Sequence, residues 1–237
     1  SINSPLRNEK IGLGLSLIND KAGYENFTYV YADFSYTINL GDRTKLAFGI
    51  DAGATSYKLS DELYNGVETG NDPYFDERLD RWNPNFGAGI LLHSDRWFAG
   101  FSIPRLINND TNNQTEYAAL ERVHYYVIGG YVFDLGESVK FKPSILAKYT
   151  DNAPISTDFT ANFLFNEKLW LGAAYRLNES TGALGGIVDF QVSKQFRIGY
   201  AYEHPISDIR PYSSGTHEIL LMFEVFKIKR VKSPRYF

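Results

Sequence analysis

The residue types that most often carry catalysis or hold metals are scarce in this chain. Its 237 residues include four histidines and no cysteine, which excludes disulfides, thiolate metal sites and cysteine nucleophiles. His204 and His217 fall on one face of the strands described below, and His124 falls on the other. His93 lies in a tight turn at the opposite end. Because the imidazoles do not converge, we predict neither a zinc site nor a Ser-His hydrolase centre. We expect no catalytic residue, metal or cofactor, and no enzymatic activity.

An acidic segment between two predicted strands has the composition of a binding loop. Link 59–81 carries seven acidic and two basic residues without EF-hand spacing, so we expect a solvated loop that faces a partner rather than a calcium site. Exposed aromatic and arginine side chains often anchor protein partners. The expected anchors for an extracellular protein, in this link, directly after it and in the last link, are Tyr64, Tyr74, Phe75, Trp82, Arg210 and Tyr212.

The segment 227–237 forms a basic tail that contains no acid. Without its five cations the chain has 19 basic and 28 acidic residues, a net charge of −9. The tail therefore suits docking onto an acidic periplasmic partner or onto an acidic interior of the protein itself; the alternative is a solvated segment beside anionic lipid. Its candidate partner-binding residues are Lys227, Lys229, Arg230, Lys232, Arg235, Tyr236 and Phe237.

The elements that position these residues are predicted to be strands. Seventeen tyrosines and seventeen phenylalanines against one methionine are typical of β structure. Apolar and polar residues alternate with period two, for example along 158–165 and 196–203, and no helical stripe appears. After a stub at 1–5, the predicted strands are 10–18, 27–39, 44–58, 82–92, 96–104, 122–134, 139–150, 155–165, 168–177, 182–192, 195–203 and 215–226.

The links between these strands predict a membrane setting. Mean hydropathy is −0.30 and no apolar run approaches the roughly 20 residues of a membrane helix, whereas barrel strands need only about 9–11 residues. Tight turns alternate with longer links at 19–26, 59–81, 105–121, 151–154, 178–181 and 204–214. This alternation is typical of an outer-membrane β-barrel with periplasmic turns and extracellular loops. Charges such as Asp51 and Arg176 must then line the interior, and a net charge of −4 argues against nucleic-acid binding.

Several short stretches, in this order along the chain, resemble the PorP/SprF family of type IX secretion system outer-membrane proteins. They include 12–16 (GLGLS), 84–89 (PNFGAG), 102–106 (SIPRL), 130–135 (GYVFDL), 140–144 (KFKPS), 161–165 (ANFLF), 168–172 (KLWLG), 197–202 (RIGYAY), 215–219 (GTHEI) and 233–237 (SPRYF). The resemblance implies an all-β, up-and-down antiparallel transmembrane barrel of about 14 strands, the first of them partly missing from this chain. No signal peptide is visible at Ser1.

The resemblance also implies a function. The expected protein is a non-enzymatic outer-membrane component of type IX secretion and gliding. Its expected partners are a secreted adhesin or other substrate, periplasmic ring or peptidoglycan-linked proteins, and outer-membrane lipid. Residues 1–226 would form the barrel and 227–237 a periplasmic tail. The alternation alone leaves a second function open, which is an outer-membrane channel or transporter for a small solute or hydrophobic ligand.

Overall fold

The computed structural model describes residues 1–6, 10–60, 80–110, 120–178, 181–208 and 210–225. Fourteen strands in these ranges form one antiparallel sheet in up-and-down order, and two more form a separate pair. The strands are β1 (Ile2–Pro5), β2 (Ile11–Ala22), β3 (Glu25–Asn39), β4 (Lys45–Leu59), β5 (Asp80–His93), β6 (Trp97–Ile103), β7 (Asn109–Asp110), β8 (Leu120–Glu121), β9 (His124–Tyr131), β10 (Phe133–Asp134), β11 (Val139–Thr150), β12 (Ser156–Phe165), β13 (Leu169–Leu177), β14 (Ala183–Gln191), β15 (Phe196–Pro205) and β16 (Thr216–Phe223). The helical element in these ranges is a 3-10 turn, Arg210–Tyr212.

The predicted all-β, up-and-down fold with about 14 strands is confirmed. Strand β11 coincides with the predicted 139–150. The predicted strand 122–134 is divided into β9 and β10 by Val132, a residue that is only 2 % exposed. The backbone N–H of Val132 still donates to the carbonyl of Arg96 over 2.7 Å, so the break is local. In the described residues β1 and β16 are the two ends of the pairing order.

The prediction of a long link at 19–26 is wrong. Strands β2 and β3 continue in register to the pair Ala22–Glu25, which leaves a two-residue turn. Gly23 takes a φ of 60° there, a conformation that glycine adopts without strain and that tight hairpin turns require. The polar stretch before it lacks apolar alternation, which predicts a loop, although its backbone is fully paired. The predicted alternation of tight turns with long links is therefore supported mainly by the long links 60–79, 104–123 and 206–215.

No helix in the described ranges has the length and apolarity that crossing a bilayer requires.

The chain separates into two compact units. The first contains 1–41, 45–91 and 102–125, and the second contains 42–44, 92–101 and 126–237. In the first unit, the ring of Tyr31 lies beside Gly53, its cross-strand partner, and its hydroxyl is 3.1 Å from Thr55 Oγ1. A methyl group on Gly53 would meet the Tyr31 ring at 2.8 Å and the Val30 carbonyl. The missing side chain thus lets a tyrosine lie against the sheet and become 92 % buried.

In the second unit, strands β11 to β16 form a regular meander with continuous registers. The turn that joins β12 to β13 places Asn166 and Glu167 at φ values of 49° and 55°. Lys168 N–H donates back to the Phe165 carbonyl over 3.0 Å. Positive φ at both central residues matches the right-handed twist of adjacent strands, so this tight turn fixes the register of both.

We expect Gly53→Ala to lower the free energy of unfolding by about 1–3 kcal/mol, because the added methyl group overpacks the Tyr31 ring and the adjacent backbone. The measurement is a urea titration of the full chain in detergent micelles, followed by tryptophan fluorescence. Gly186→Ala is the matched control, since a methyl group there meets no atom within 4 Å. Equal effects of the two substitutions would contradict the packing argument.

Candidate functional site

One face of the sheet in both units is apolar and exposed. We call it the apolar face; in the first unit it carries Leu13, Leu15, Phe34, Ile50 and Phe86, and in the second Ile145, Phe159, Leu171, Val188 and Ile198. These side chains are 39 to 59 % exposed. Among the described residues no side chain of any kind is less than 2 % exposed. Large apolar residues on the outside and none fully inside are the reverse of a water-soluble core.

The opposite face, the polar face, carries the charges that alternation assigned to an interior. In the second unit, Arg176 Nε donates to Asp158 Oδ1 at 2.7 Å and Arg176 Nη1 donates to Glu203 Oε1 at 2.8 Å. Lys148 Nζ binds the other Asp158 oxygen at 2.6 Å. These four residues form a chain of alternating charge, which we call the ion chain. A small cavity of about 270 Å³ adjoins it.

Small residues let the ion chain cross an intervening strand. Arg176 lies on β13 and Glu203 on β15, with β14 between them. The positions of β14 under this contact are Ala183 and Gly185, which pair with Arg176 and Glu203 respectively. Because neither has a long side chain, the guanidinium reaches Glu203 over the strand. The spacing of small and charged residues across β13, β14 and β15 thus allows the ion chain to form.

Two further contacts neutralise charge on the polar face of the second unit. Arg197 Nε donates to Asp189 Oδ1 at 2.5 Å, and Asp189 is only 5 % exposed. Lys142 Nζ lies 4.9 Å from the ring centre of Trp170, within the range of a cation–π interaction. Every carboxylate named here has a cationic partner, as buried charges require.

The polar face of the first unit is open instead. Asp33 and Asp51 are directly opposed on β3 and β4, and Gly14 and Gly87 flank them on the neighbouring strands. A methyl group on Gly14 would meet Asp33 at 2.7 Å, and one on Gly87 would meet Asp51 at 2.5 Å. Asp33, Asp51 and Gly14, together with other small and apolar residues, line an open cavity of about 670 Å³. The polar face of this unit therefore borders open space where the second unit has ion pairs.

An asparagine fixes the chain that follows β6, a role that the sequence did not reveal. Asn85 is 3 % exposed; its Nδ2 donates to the Ile107 carbonyl at 2.9 Å and its Oδ1 accepts from the Ile107 N–H at 3.0 Å. This pair of bonds imitates a strand ladder. Nearby, the guanidinium of Arg105 lies 4.4 Å from the ring centre of Tyr29. Asn85 and Arg105 belong to stretches 84–89 and 102–106 of the family resemblance, and that membership was the one sequence signal for either residue.

The predicted partner-binding residues are only partly within the described ranges. The tail 227–237 and the loop residues Tyr64, Tyr74 and Phe75 lie outside them. Trp82 on β5 is 57 % exposed and Tyr212 in the 3-10 turn is 88 % exposed, with Arg210 in the same turn. Across the described residues, no three His, Cys, Asp or Glu side chains are grouped as metal ligands.

We expect Arg176→Gln to lower the free energy of unfolding by about 1–3 kcal/mol, because it leaves Glu203 without its guanidinium and Asp158 with Lys148 alone. Urea titration in detergent micelles is the measurement. The control is Lys58→Gln, which breaks an exposed pair with Asp80 at 3.6 Å and should cost no more than about 0.5 kcal/mol. An Arg176 variant as stable as the control would show that the ion chain contributes nothing to stability.

A comparison of the sequence with known proteins and families identifies the family of this chain. No curated protein matches the chain at a significant level. The profile of the family described as "Type IX secretion system membrane protein PorP/SprF" matches residues 1–223, nearly the whole sheet. The resemblance carried by the short stretches is therefore confirmed. The chain belongs to the PorP/SprF family of type IX secretion system membrane proteins.

Proposed function

We propose that the protein is a β-barrel of the bacterial outer membrane and a non-enzymatic component of the type IX secretion and gliding machinery. It acts by binding. Its long links hold a secreted adhesin or another substrate at the cell surface, and its periplasmic side engages ring or peptidoglycan-linked proteins. The sheet supplies a scaffold in the lipid, and the links and the tail supply the contacts.

The observation that carries the proposal is the exposure of the apolar face. Ile219 is 74 % exposed and Leu221 is 64 % exposed on β16, while the polar face of the same unit holds the ion chain. Side chains that are exposed and apolar are stable only against lipid or a partner. Apolar side chains need a lipid or partner contact, and charged side chains need a polar environment. Strands that alternate the two satisfy both needs when one face contacts lipid and the other lines an interior.

The link lengths support the proposed orientation. In the up-and-down order, the three long links join strands at one end, and the tight turns 94–96, 135–138 and 166–168 join strands at the other end. In outer-membrane barrels the longer loops are extracellular and the short turns periplasmic. Strand β16 runs toward the strand ends that the tight turns join, which supports a periplasmic position for the tail 227–237. Trp82, Arg210 and Tyr212 then belong to the extracellular side.

Gentle detergent extraction of cells that produce a tagged chain tests the proposal as a whole. We expect the tagged chain in the outer-membrane fraction, insoluble without detergent, together with secretion-system proteins and a surface adhesin. A chain that remains in aqueous solution, or that is extracted without any secretion-system protein, would overturn the proposal.

We expect deletion of 227–237 to leave the sheet inserted and to abolish capture of periplasmic partners. The tail carries five cations and no acid, so its contribution to binding is electrostatic and should weaken as salt rises. The measurement is pull-down from detergent extracts at two salt concentrations, with heat-modified gel migration as the readout of insertion.

A matched variant separates charge from length. Replacing Lys227, Lys229, Arg230, Lys232 and Arg235 by glutamine keeps the tail at its full length. It should lose the partners as the deletion does, while Lys10→Gln in the first unit should retain them. Unchanged capture after deletion would exclude the tail as a docking segment.

The cavity of the first unit favours a second candidate function, passage of a small solute. Conductance in a planar bilayer distinguishes the two functions. We expect no sustained open-channel steps from the wild-type chain, because six charged side chains on the polar face of the second unit are tied to one another. Large, stable current steps would instead support a channel. Arg176→Gln, which opens the ion chain, serves as the comparison.

A further inference from the structure

The hairpin of β15 and β16 carries a hydrogen-bonded group of aromatic rings next to link 206–215. We call it the ring cluster; its members are Tyr200, Tyr202, His204 and His217. Tyr200 Oη lies 2.7 Å from His217 Nδ1, and Tyr202 Oη lies 3.3 Å from His204 Nδ1. The rings of Tyr202 and His217 are 4.7 Å apart between centres. All four side chains project from the apolar face of the second unit.

Counting protons fixes the direction of one of these bonds. The Tyr202 hydroxyl donates its single proton to the Ser214 carbonyl at 2.8 Å, since a carbonyl can only accept. His204 Nδ1 must therefore be the donor to Tyr202 Oη. This bond orients the imidazole and directs its Nε2 away from Tyr202. On a protonated ring, Nε2 is a second N–H donor that suits an anion.

A glycine permits this arrangement. Gly215 has a φ of 104°, and a methyl group there would lie 2.8 Å from Tyr202 Oη and 2.5 Å from the Glu203 carbonyl. Any other residue would be strained at this φ and would displace the tyrosine hydroxyl. The cluster is thus formed by the backbone of the link as well as by its own side chains.

The surface beside the cluster is apolar. Tyr200 pairs with Ile219, and Ile198 pairs with Leu221 one step farther from the link. These three aliphatic side chains are 41, 74 and 64 % exposed for Ile198, Ile219 and Leu221. The nearest carboxylates along the strands, Glu203 and Glu218, project from the opposite face. The link itself contributes Asp208 and Arg210.

We propose that the ring cluster binds the phosphate headgroup of a membrane lipid whose acyl chains lie along Ile198, Ile219 and Leu221. Imidazole N–H groups match phosphate oxygens, and the adjacent aliphatic column matches hydrocarbon. Free phosphate would satisfy only the first of these surfaces. The inference rests on the proposed function in one respect, that link 206–215 lies at a bilayer surface, where Tyr and other ring side chains with polar tips collect.

The test uses the full chain with ¹⁵N-labelled histidine in uncharged maltoside micelles, and dodecyl phosphate is the probe. The four histidine signals are assigned by single substitutions. We expect saturable shifts of the His204 and His217 signals and none of the His93 signal. Tyr202→Phe keeps the ring but removes the hydroxyl that orients His204, and should weaken binding about tenfold. His93→Gln is the control that binds as the wild type does.

Two outcomes would overturn the assignment. Absence of a saturable shift at His204 and His217 in the wild-type chain excludes the site without depending on any variant. Equal shifts with inorganic phosphate at the same concentration would show that the chains contribute nothing and that the ligand is not a lipid. Heat-modified migration in the same micelles reports insertion separately. A site that fails in an inserted chain therefore leaves the proposed function standing, whereas a chain soluble without detergent defeats both.

Discussion

The constraint on which the rest of this structure depends is that a bilayer offers backbone groups no hydrogen-bond partners. Strands in a bilayer must therefore satisfy their N–H and C=O groups by pairing with one another. The described strands do so through fourteen members of one antiparallel sheet. Once the backbone is paired in this way, side chains alternate between two faces. The sequence then has only to assign apolar residues to one face and polar residues to the other.

That assignment leaves the described part of the protein without an ordinary apolar core, so other contacts hold its polar face together. The first unit packs tyrosine rings against glycine, as Tyr31 does beside Gly53. The second unit uses ion pairs, and its small residues on β14 are spacers that let Arg176 reach Glu203. The two solutions have different consequences. Glycine and serine positions line a cavity in the first unit, whereas the ion chain occupies the polar face of the second.

Alternation made the strands predictable, and the same signal explains where prediction ended. The order of strands and the polar positions followed from period two, because the apolar and polar residues of each strand alternate between the two faces. The turn at Gly23 was missed since Asn19, Asp20 and Lys21 are polar on both faces where the hairpin extends. The bond from Arg176 to Asp158 follows from the β12–β13 register. Its bond to Glu203 does not, because it depends on two registers and on how far a guanidinium reaches over Gly185. The role of Asn85 could not be predicted, because nothing in the neighbouring sequence indicates that its amide binds Ile107.

The distribution of satisfied groups limits where partners can bind. In the proposed setting the apolar face meets lipid, and six charged residues of the second unit, Lys148, Asp158, Arg176, Glu203, Asp189 and Arg197, pair with one another. The proposed protein partners are then left with the links, the tail and the cavity of the first unit. Tyr212, which is 88 % exposed beside Arg210, shows what such a surface looks like: an aromatic ring and a cation held in a short 3-10 turn. The ion chain is built from residues of β11, β12, β13 and β15, so on the proposed function link residues can change to suit a partner without altering it.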